Sequence, residues 1–510
     1  MQIERDSVDF WTLQILEQSV HYFEQQNVQA YLVGGSVRNL LLAAPSVDWD
    51  IVVVGDAPAL ARRLANILGG FYAYLHEKAS RVVVKKDKQE VILDIAPLQG
   101  SSIEADLHTR DFTINAIALP LANLVDHFVH QSPLTFLDPL HGLEDLTRRR
   151  LKAVTENVFQ NDPLRLLRAV RFMMRYQLSL EERTDALLIR DAHLLLRAAP
   201  ERIHEEFYTI LKPSGAVDRL HFMDTHQLFT TLFPEFLPAR GMQQPNLHHW
   251  DVLEHSIETV ATLEHLAAFF SQPVSEPPFF STVETQENLQ QIKVLLQEAE
   301  QQGIFQLDVL ASPALKLAAL LHDIGKTVTY ALNETGNITF YHHPQAGVPL
   351  VQHITKRLNM KVQDRRLVQQ VVANHMRPGQ LSHDEITERA IRRYFVDLGP
   401  TGIHVGLVSL ADHLAMRGPE VLTEHWNRHV ATVRLLLTRY ICERDRILPP
   451  RLIQGEELMH RLSLQPGPLI GQLLEAIADA QAEGRVHSKA EALWLAEEIL
   501  QSNSEGLEQS

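Results

Sequence analysis

Residues 31–55, YLVGGSVRNLLLAAPSVDWDIVVVG, constrain the chain more than any other stretch. Tyr31–Val33 and Ile51–Val54 are short β-branched or aromatic runs bounded by glycine, and they predict two buried strands. Gly34, Gly35 and Ser36 predict a sharp turn that brings bare N–H groups close to an anion. Val37–Ala43 predicts a short helix with its N-terminus aimed at the same anion. Arg38 adds a forked, permanently charged donor for phosphate oxygens. Asp48 and Asp50 are two residues apart, so a strand places both on one face with Cα atoms roughly 6–7 Å apart. Carboxylates so placed can bracket two divalent metals about 3.5–4 Å apart, the spacing of in-line phosphoryl transfer. Mg²⁺ suits such a site because it takes few carboxylates plus substrate phosphates. Either feature alone reads equally as a turn or as two solvated aspartates at a strand end; the strand–turn–helix–strand order joins them.

A chain of 510 residues exceeds one hydrophobic core and predicts three or four domains. No apolar run approaches the roughly 18 residues of a membrane span. The charged start, MQIERDSVDFWTLQ, lacks an apolar signal core, so secretion is not expected. One cysteine, Cys442, excludes an internal disulfide and any cysteine-rich zinc site. A cytoplasmic protein with no membrane partner is therefore expected. The net charge of −16 argues against a general nucleic-acid binder. Residues 148–175 depart from that balance, with eight Arg or Lys against only Glu156 and Asp162. A solvated helix face would also explain such a run.

Within that window, Asn161-Asp162-Pro163 predicts a helix start, a side-chain cap followed by proline at the first helical position. Arg165, Arg168, Arg171 and Arg175 then fall within an arc of about 120°. Leu167, Val170 and Met174 lie on the opposite face, free to bury against a sheet. Elsewhere the pattern predicts a helix over 10–26, strands at 81–85 and 90–96, and a small mixed sheet within about 28–145. Residues 146–240 read as helical, and 245–430 as helical and histidine-rich. Inside the latter, SQPVSEPPFFSTVETQ at 271–286 reads as a flexible insertion. Residues 431–500 are again helical, broken at LPPRL and QPGPLIG, and 501–510 read as a frayed tail.

GGSVRNLLL followed by DWDIVVVG resembles the first motif of the class II tRNA nucleotidyltransferases and bacterial poly(A) polymerases. DLHTRDFTINAIAL at 106–119, DPLHGLEDL at 138–146, NDPLRLLRAVRF at 161–172 and ERIHEEF at 201–207 follow that family's pattern in order. The resemblance implies an α+β fold: a polymerase-beta-like nucleotidyltransferase head (1–145), an all-α neck (146–240), and a C-terminal helical RNA-binding region (431–500). It implies that Asp48 and Asp50 are catalytic and hold Mg²⁺, with Asp94 in EVILDIA as a third carboxylate that activates the attacking hydroxyl or completes a metal shell. Gly34, Gly35, Ser36, Arg38 and Arg110 then contact the nucleotide, and Asn115 secures a turn. Asp162 and Arg165 match a D-x-x-R pair that reads the base edge of CTP or ATP without a nucleic-acid template, and Arg168 and Arg171 match phosphate contacts. The chemistry fits: a carboxylate accepts from an exocyclic amino group while a guanidinium donates to a ring nitrogen or carbonyl. Cytosine and adenine present that edge; uracil and guanine do not. The expected partner is the 3′ end of tRNA.

Three positions depart from the family pattern. Asn39 stands where Asp is usual, and Asn161 replaces a Glu. Only a short segment through APLQGSSIEA links Asp94 to Asp106, where many CCA-adding members carry a longer, arginine-containing loop. The loop is shortened or absent in CC-adding relatives, so CCA, CC and A addition all stay open.

In ALKLAALLHDIGK an apolar helix ends in His322-Asp323, which resembles the metal motif of HD domains. That resemblance makes His255 in HHWDVLEHS and Asp412 in SLADHLA the companion ligands within an HD domain at 245–430. His343 and His375 are candidates for a second metal or a phosphate contact, with satisfied core histidines as the alternative. Such ligands suit a divalent metal with open positions for a phosphate ester and water. Addition of C, A or both to tRNA, possible HD phosphohydrolysis, poly(A) synthesis on general RNA, an HD phosphohydrolase with a nucleotide-sensing head, and noncatalytic tRNA binding are the competing functions.

Overall fold

The computed structural model describes residues 3, 7–44, 48–76, 79–245, 248–272, 282–383, 386–418 and 424–508. The chain divides into two compact units, Met1–Arg202 with Thr225–Thr231, and Ile203–Asp224 with Leu232–Ser510.

The first unit is built on a six-stranded sheet: β1 (Ala30–Val33), β2 (Asp48–Val53), β3 (Phe71–His76), β4 (Ala79–Lys86), β5 (Gln89–Pro97) and β6 (Ala118–Pro120). The spatial order is β3-β4-β5-β2-β1-β6. Only β2 and β5 run parallel; the other pairs are antiparallel. Strand alternation separates the two faces. Trp49, Leu93 and Val82 lie side by side on the buried face. Asp50, Asp94 and Arg81 form the neighbouring row on the opposite, accessible face. Helix α1 (Phe10–Gln25) starts at Asp9, whose carboxylate accepts from the Thr12 N–H. Helix α3 (Ala57–Leu68) packs on β3, β4 and β5 and ends at Gly69 in the left-handed conformation.

Helix α2 (Gly34–Leu41) begins three residues earlier than its sequence pattern predicts. Gly34 absorbs the turn itself at φ +63°, and a Cβ there would sit 2.9 Å from Arg110 Nη1. The arginine helix, Arg165–Tyr176, begins later than expected. Asn161 closes a short helix, Val158–Asn161, instead of capping the next one. Pro163 excludes the α region for the residue before it, so Asp162 is extended and its Oδ1 accepts from the Leu164 N–H at 3.2 Å. Leu167 and Val170 are buried as expected, whereas Met174 is only half-buried.

Among the described residues the second unit is helical apart from a two-stranded hairpin, Ala331–Leu332 with Ile338–Thr339. Helix Val252–Ser271 packs against Thr401–Met416, and Pro313–Leu321 against Val362–Asn374. The expected insertion at 271–286 lies outside the described residues over 273–281, and its last residues belong to helix Val283–Gln301. Helix Glu424–Ile441 runs through residue 430 without a break. The last helix is Lys489–Glu508, so helix continues to 508 where a frayed tail is expected. Among the described residues no helix is long and apolar enough to cross a membrane.

Lys316 is a buried cation within this unit. Its ammonium donates to the carbonyls of Leu211 (2.8 Å), Lys212 (3.2 Å) and Pro213 (3.0 Å) and pairs with Glu264 at 2.7 Å. It thereby satisfies acceptors at the C-terminal end of helix Pro200–Leu211. Lys316→Met strands both the carboxylate and the carbonyls. A loss of about 3–5 kcal/mol is expected in urea unfolding followed by circular dichroism.

Candidate active site and metal centre

The accessible face of the sheet opens into a cavity of about 1310 Å³. Its lining includes Gly34, Gly35, Ser36, Arg38, Asp48, Asp50, Asp94, Arg110, Asp162, Arg165, Arg168 and Arg171, every head and neck residue expected from the sequence to be catalytic or to contact nucleotide.

Ser36 ties α2 to the aspartates. Its hydroxyl accepts from the Asp50 N–H at 2.7 Å and lies 3.2 Å from the Asp48 carbonyl and 3.4 Å from Asp50 Oδ2. Burial raises the Asp50 carboxyl above its ordinary pKa; Arg110 opposes the shift, and Asp94 and Asp48 reinforce it. Asp48 is raised by burial too, against Arg81, with Asp94 and Glu90 adding repulsion. A divalent cation answers this chemistry: carboxylates on one face, each disfavoured as an anion by burial and by its neighbours. Asp94 is turned toward Arg81, which donates to both its oxygens at 2.8 Å.

The cavity's arginines are held by specific partners. Arg110 pairs with Asp106 at 2.8 Å, and its Nη1 sits beside Gly34. Arg38 is buried, donating to Asn115 and, at 3.0 Å, to Asn39. Its guanidinium also lies 4.5 Å from the Tyr176 ring and 5.0 Å from Phe172, so it ties α2 to the arginine helix. Asn115 completes that tie by donating to Asp111 at 2.8 Å. Burial alone would raise the Asp111 carboxyl, but Arg168, donating twice at 2.7 and 2.8 Å, and Asn115 hold it below its ordinary value. Arg165 donates to the carbonyls of Thr109 (2.8 Å) and Arg110 (3.3 Å). Arg202 donates to Asp162 at 2.8 Å. Arg171 lies 4.5 Å from the Phe172 ring.

Arg81 and Arg202 escape a reading of the sequence. Alternation along β4 does place Arg81 on the carboxylate face. Nothing local to ERIHEEF marks Arg202 as the partner of a residue 40 positions earlier.

In the second unit, one ligand atom from each of His255, His322, Asp323 and Asp412 falls within a 4.8 Å group, and a second group joins Asp323, His343 and His375. Asp323 faces both. Its Oδ2 lies 3.2 Å from His322 Nε2 and 3.4 Å from His255 Nε2, and its Oδ1 lies 3.1 Å from His343 Nε2 and 3.5 Å from His375 Nε2. Asp412 Oδ1 lies 3.0 Å from His255 Nε2. The Nδ1 atoms of His322, His343 and His375 face the carbonyls of Ala319 (2.7 Å), Phe340 (2.9 Å) and Val372 (2.9 Å). A proton on each Nδ1 satisfies those carbonyls and turns the Nε2 lone pairs inward. His322 Nε2 is buried and faces Asp323 Oδ2 at 3.2 Å and Asp412 Oδ1 at 3.5 Å, and His343 and His375 oppose their Nε2 atoms at 3.3 Å. Facing acceptors of this kind fit a shared cation. Burial would lower His322, but Asp323 and Asp412 lift it to about 10, so a proton on Nε2 and a cation compete for the same place. Both carboxyls are pulled well below their ordinary values against burial, chiefly by His322. Gly325 permits the close approach: a Cβ there would lie 2.7 Å from the Gly347 nitrogen and still nearer the His343 carbonyl.

Comparison with known proteins agrees with this layout. Residues 30–152 match the poly A polymerase head domain, 177–240 the probable RNA and SrmB-binding site of polymerase A, and 252–417 the HD domain. The A-adding tRNA nucleotidyltransferase of Deinococcus radiodurans is 31% identical, over 91% of this chain and 94% of the relative. The CC-adding tRNA nucleotidyltransferase of Thermus thermophilus is 30% identical, over 91% and 92%. The solved apo form I of a CCA-adding enzyme superposes with a TM-score of 0.61 at 19% identity, covering 97% of this chain and 95% of that one. The Thermotoga maritima CCA-adding enzyme, solved with tRNA, gives 0.56 at 21% identity, covering 98% and 97%. Fold and site thus define a nucleotidyltransferase with a poly(A)-polymerase-type head and an HD domain. The chain belongs to the tRNA nucleotidyltransferase family.

Proposed function

We propose that this enzyme adds C, A or both to the 3′ end of tRNA from CTP and ATP in the cytoplasm, with no template. The observation that carries the reading is the single cavity that gathers the aspartates of β2, the N-terminus of α2 and the arginine helix. The N–H groups at the start of α2 and Arg110 cradle the triphosphate. Asp48 and Asp50 fit Mg²⁺, which when bound polarises the phosphoryl oxygens and favours ionisation of the attacking hydroxyl. The RNA 3′ oxygen forms a bond to the α-phosphorus as the bond to pyrophosphate breaks; Asp94, once turned from Arg81, takes the hydroxyl proton or completes the metal shell. Asp162 and Arg165 choose the base, each pinned by its partner. The working domain scheme is a head at 1–145, a neck at 146–240, an HD domain at 245–430 and a C-terminal RNA-binding region at 431–500. The tRNA-adding relatives, alike over nine-tenths of the chain, favour this reading over poly(A) synthesis.

The test offers tRNAs ending at the discriminator base, at C and at CC, with CTP and ATP supplied separately. Product lengths distinguish CCA, CC and A addition from poly(A) synthesis. Absence of any extension overturns the reading. Asp162→Ala is expected to lose roughly 5- to 150-fold of the discrimination against UTP and GTP, measured as ratios of kcat/KM.

For the HD domain we propose a divalent-metal phosphohydrolase acting on a 2′,3′-cyclic phosphate or a nucleotide. His255, His322, Asp323 and Asp412 hold one metal, and Asp323, His343 and His375 a second. Hydrolysis assayed with Ni²⁺, Mn²⁺ or Mg²⁺ should vanish in His322→Ala; equal activity in the variant sinks the idea.

A further inference from the structure

The accessible face of the sheet does not stop at the carboxylates. Register sets Asp50, Asp94, Arg81 and Ala73 in one row, and Asp48, Ile92, Val83 and Phe71 in the next. Directly paired residues share a face. The second row therefore runs from a catalytic aspartate over two half-buried aliphatic side chains to an aromatic ring that is 70% exposed. Leu75, 45% exposed, joins the strip and lines the same cavity as Asp48 and Asp50, as does Ala79. Strand β3 is the sheet's edge. Proteins usually blunt such edges with charge; this one carries Phe71, Tyr74 and Leu75 in the open.

Reaction geometry says what reaches the strip. Val33 of β1 leads directly into α2, so the triphosphate cradle lies on the β1 side of Asp50. In-line displacement brings the attacking hydroxyl from the side opposite the leaving group. That side is β5, β4 and β3. A chain arriving there with its 3′ oxygen at Asp94 lays its preceding nucleotides along Ile92, Val83, Leu75 and Phe71. Arg81 and Lys85 stand on the same face, each already paired with an acid, Asp94 and Glu90. What the strip offers is therefore stacking surface more than charge, which suits unpaired bases and not a duplex backbone.

We propose that this strip, with Phe71 at its outer end, binds the unpaired 3′ end of the RNA acceptor during addition. The proposal rests on the tRNA-extension reading above. It makes Phe71 and Leu75 determinants of acceptor binding that leave nucleoside triphosphate binding alone. Phe71→Ala is expected to raise KM for an RNA minihelix with a single-stranded 3′ end by about 5- to 100-fold. KM for CTP and ATP and the Tm should stay as in wild type, and Phe71→Trp should restore the acceptor KM. Fluorescence anisotropy adds a binding readout: a blunt minihelix should bind Phe71→Ala and wild type equally, while the overhang form loses affinity for the variant. An unchanged acceptor KM overturns the proposal. So does a wild-type chain that self-associates in sedimentation while Phe71→Ala is monomeric, because the edge is then an interface between copies. If wild type extends no RNA, the tRNA reading itself fails; if it extends RNA and Phe71→Ala does so equally well, only the strip is refuted.

Discussion

Asp50→Asn is expected to lower nucleotide addition by at least about 10³-fold while raising the Tm of the metal-free protein at neutral pH. The first effect follows from removing a carboxylate that holds the divalent metal, whose stabilisation of the transition state is worth several kcal/mol. The second follows from what the carboxylate costs without metal. Asp50 is half-buried beside Asp48 and Asp94, and its pKa is raised above the ordinary carboxylate value of 3.8. A raised folded pKa contributes stability that is present below the unfolded value and lost as pH rises through the folded one. At neutral pH the ionised group is therefore a net cost. Asparagine removes the charge and keeps an oxygen able to accept from Ser36, which now donates at 3.4 Å. Differential scanning fluorimetry in EDTA should show the gain at pH 7 and its disappearance as pH falls toward 3.8. Unchanged activity would refute the metal assignment. A Tm gain that persists at low pH would refute the electrostatic account.

Asp323→Ala should remove metal from both histidine groups at once. Its two oxygens face different partners, Oδ2 toward His255 and His322, Oδ1 toward His343 and His375. His375→Ala touches only the second group, so it should lose metal from one position. Elemental analysis of dialysed protein reads the difference directly, as two positions lost against one. The same metals should stabilise the fold by about 2.7 kcal/mol at a free concentration of 100 Kd. Chelation should lower the Tm of wild type and leave that of Asp323→Ala unmoved. Asp323→Ala should still extend tRNA, because the candidate polymerase residues all lie between 34 and 171. Equal metal content in Asp323→Ala and His375→Ala would refute the shared-ligand arrangement.

Much of the head was legible because its signals are local. Two residues of a strand decide which way Asp48 and Asp50 face, and a glycine pair decides where α2 turns. The stripe of arginines followed from 3.6-residue periodicity alone. The helix start before it departs from the sequence pattern for a local reason as well: Pro163 forces Asp162 out of the helical region, so the expected cap becomes a turn.

The sequence by itself determined the elements, their faces and the residue types able to carry phosphate, base and metal chemistry, because these depend on neighbours within a turn or a strand. Tertiary structure decided the pairings. Arg81 reaches Asp94 only because β4 folds back on β5. Arg202 reaches Asp162 across 40 residues, and Arg38 reaches Asn115 across 77. His255 meets Asp412 from 157 residues away. Such contacts have no period in the chain. For Arg38 and His255 burial lets the side chain persist only beside a partner, and in every case packing, not spacing, decides which partner is near.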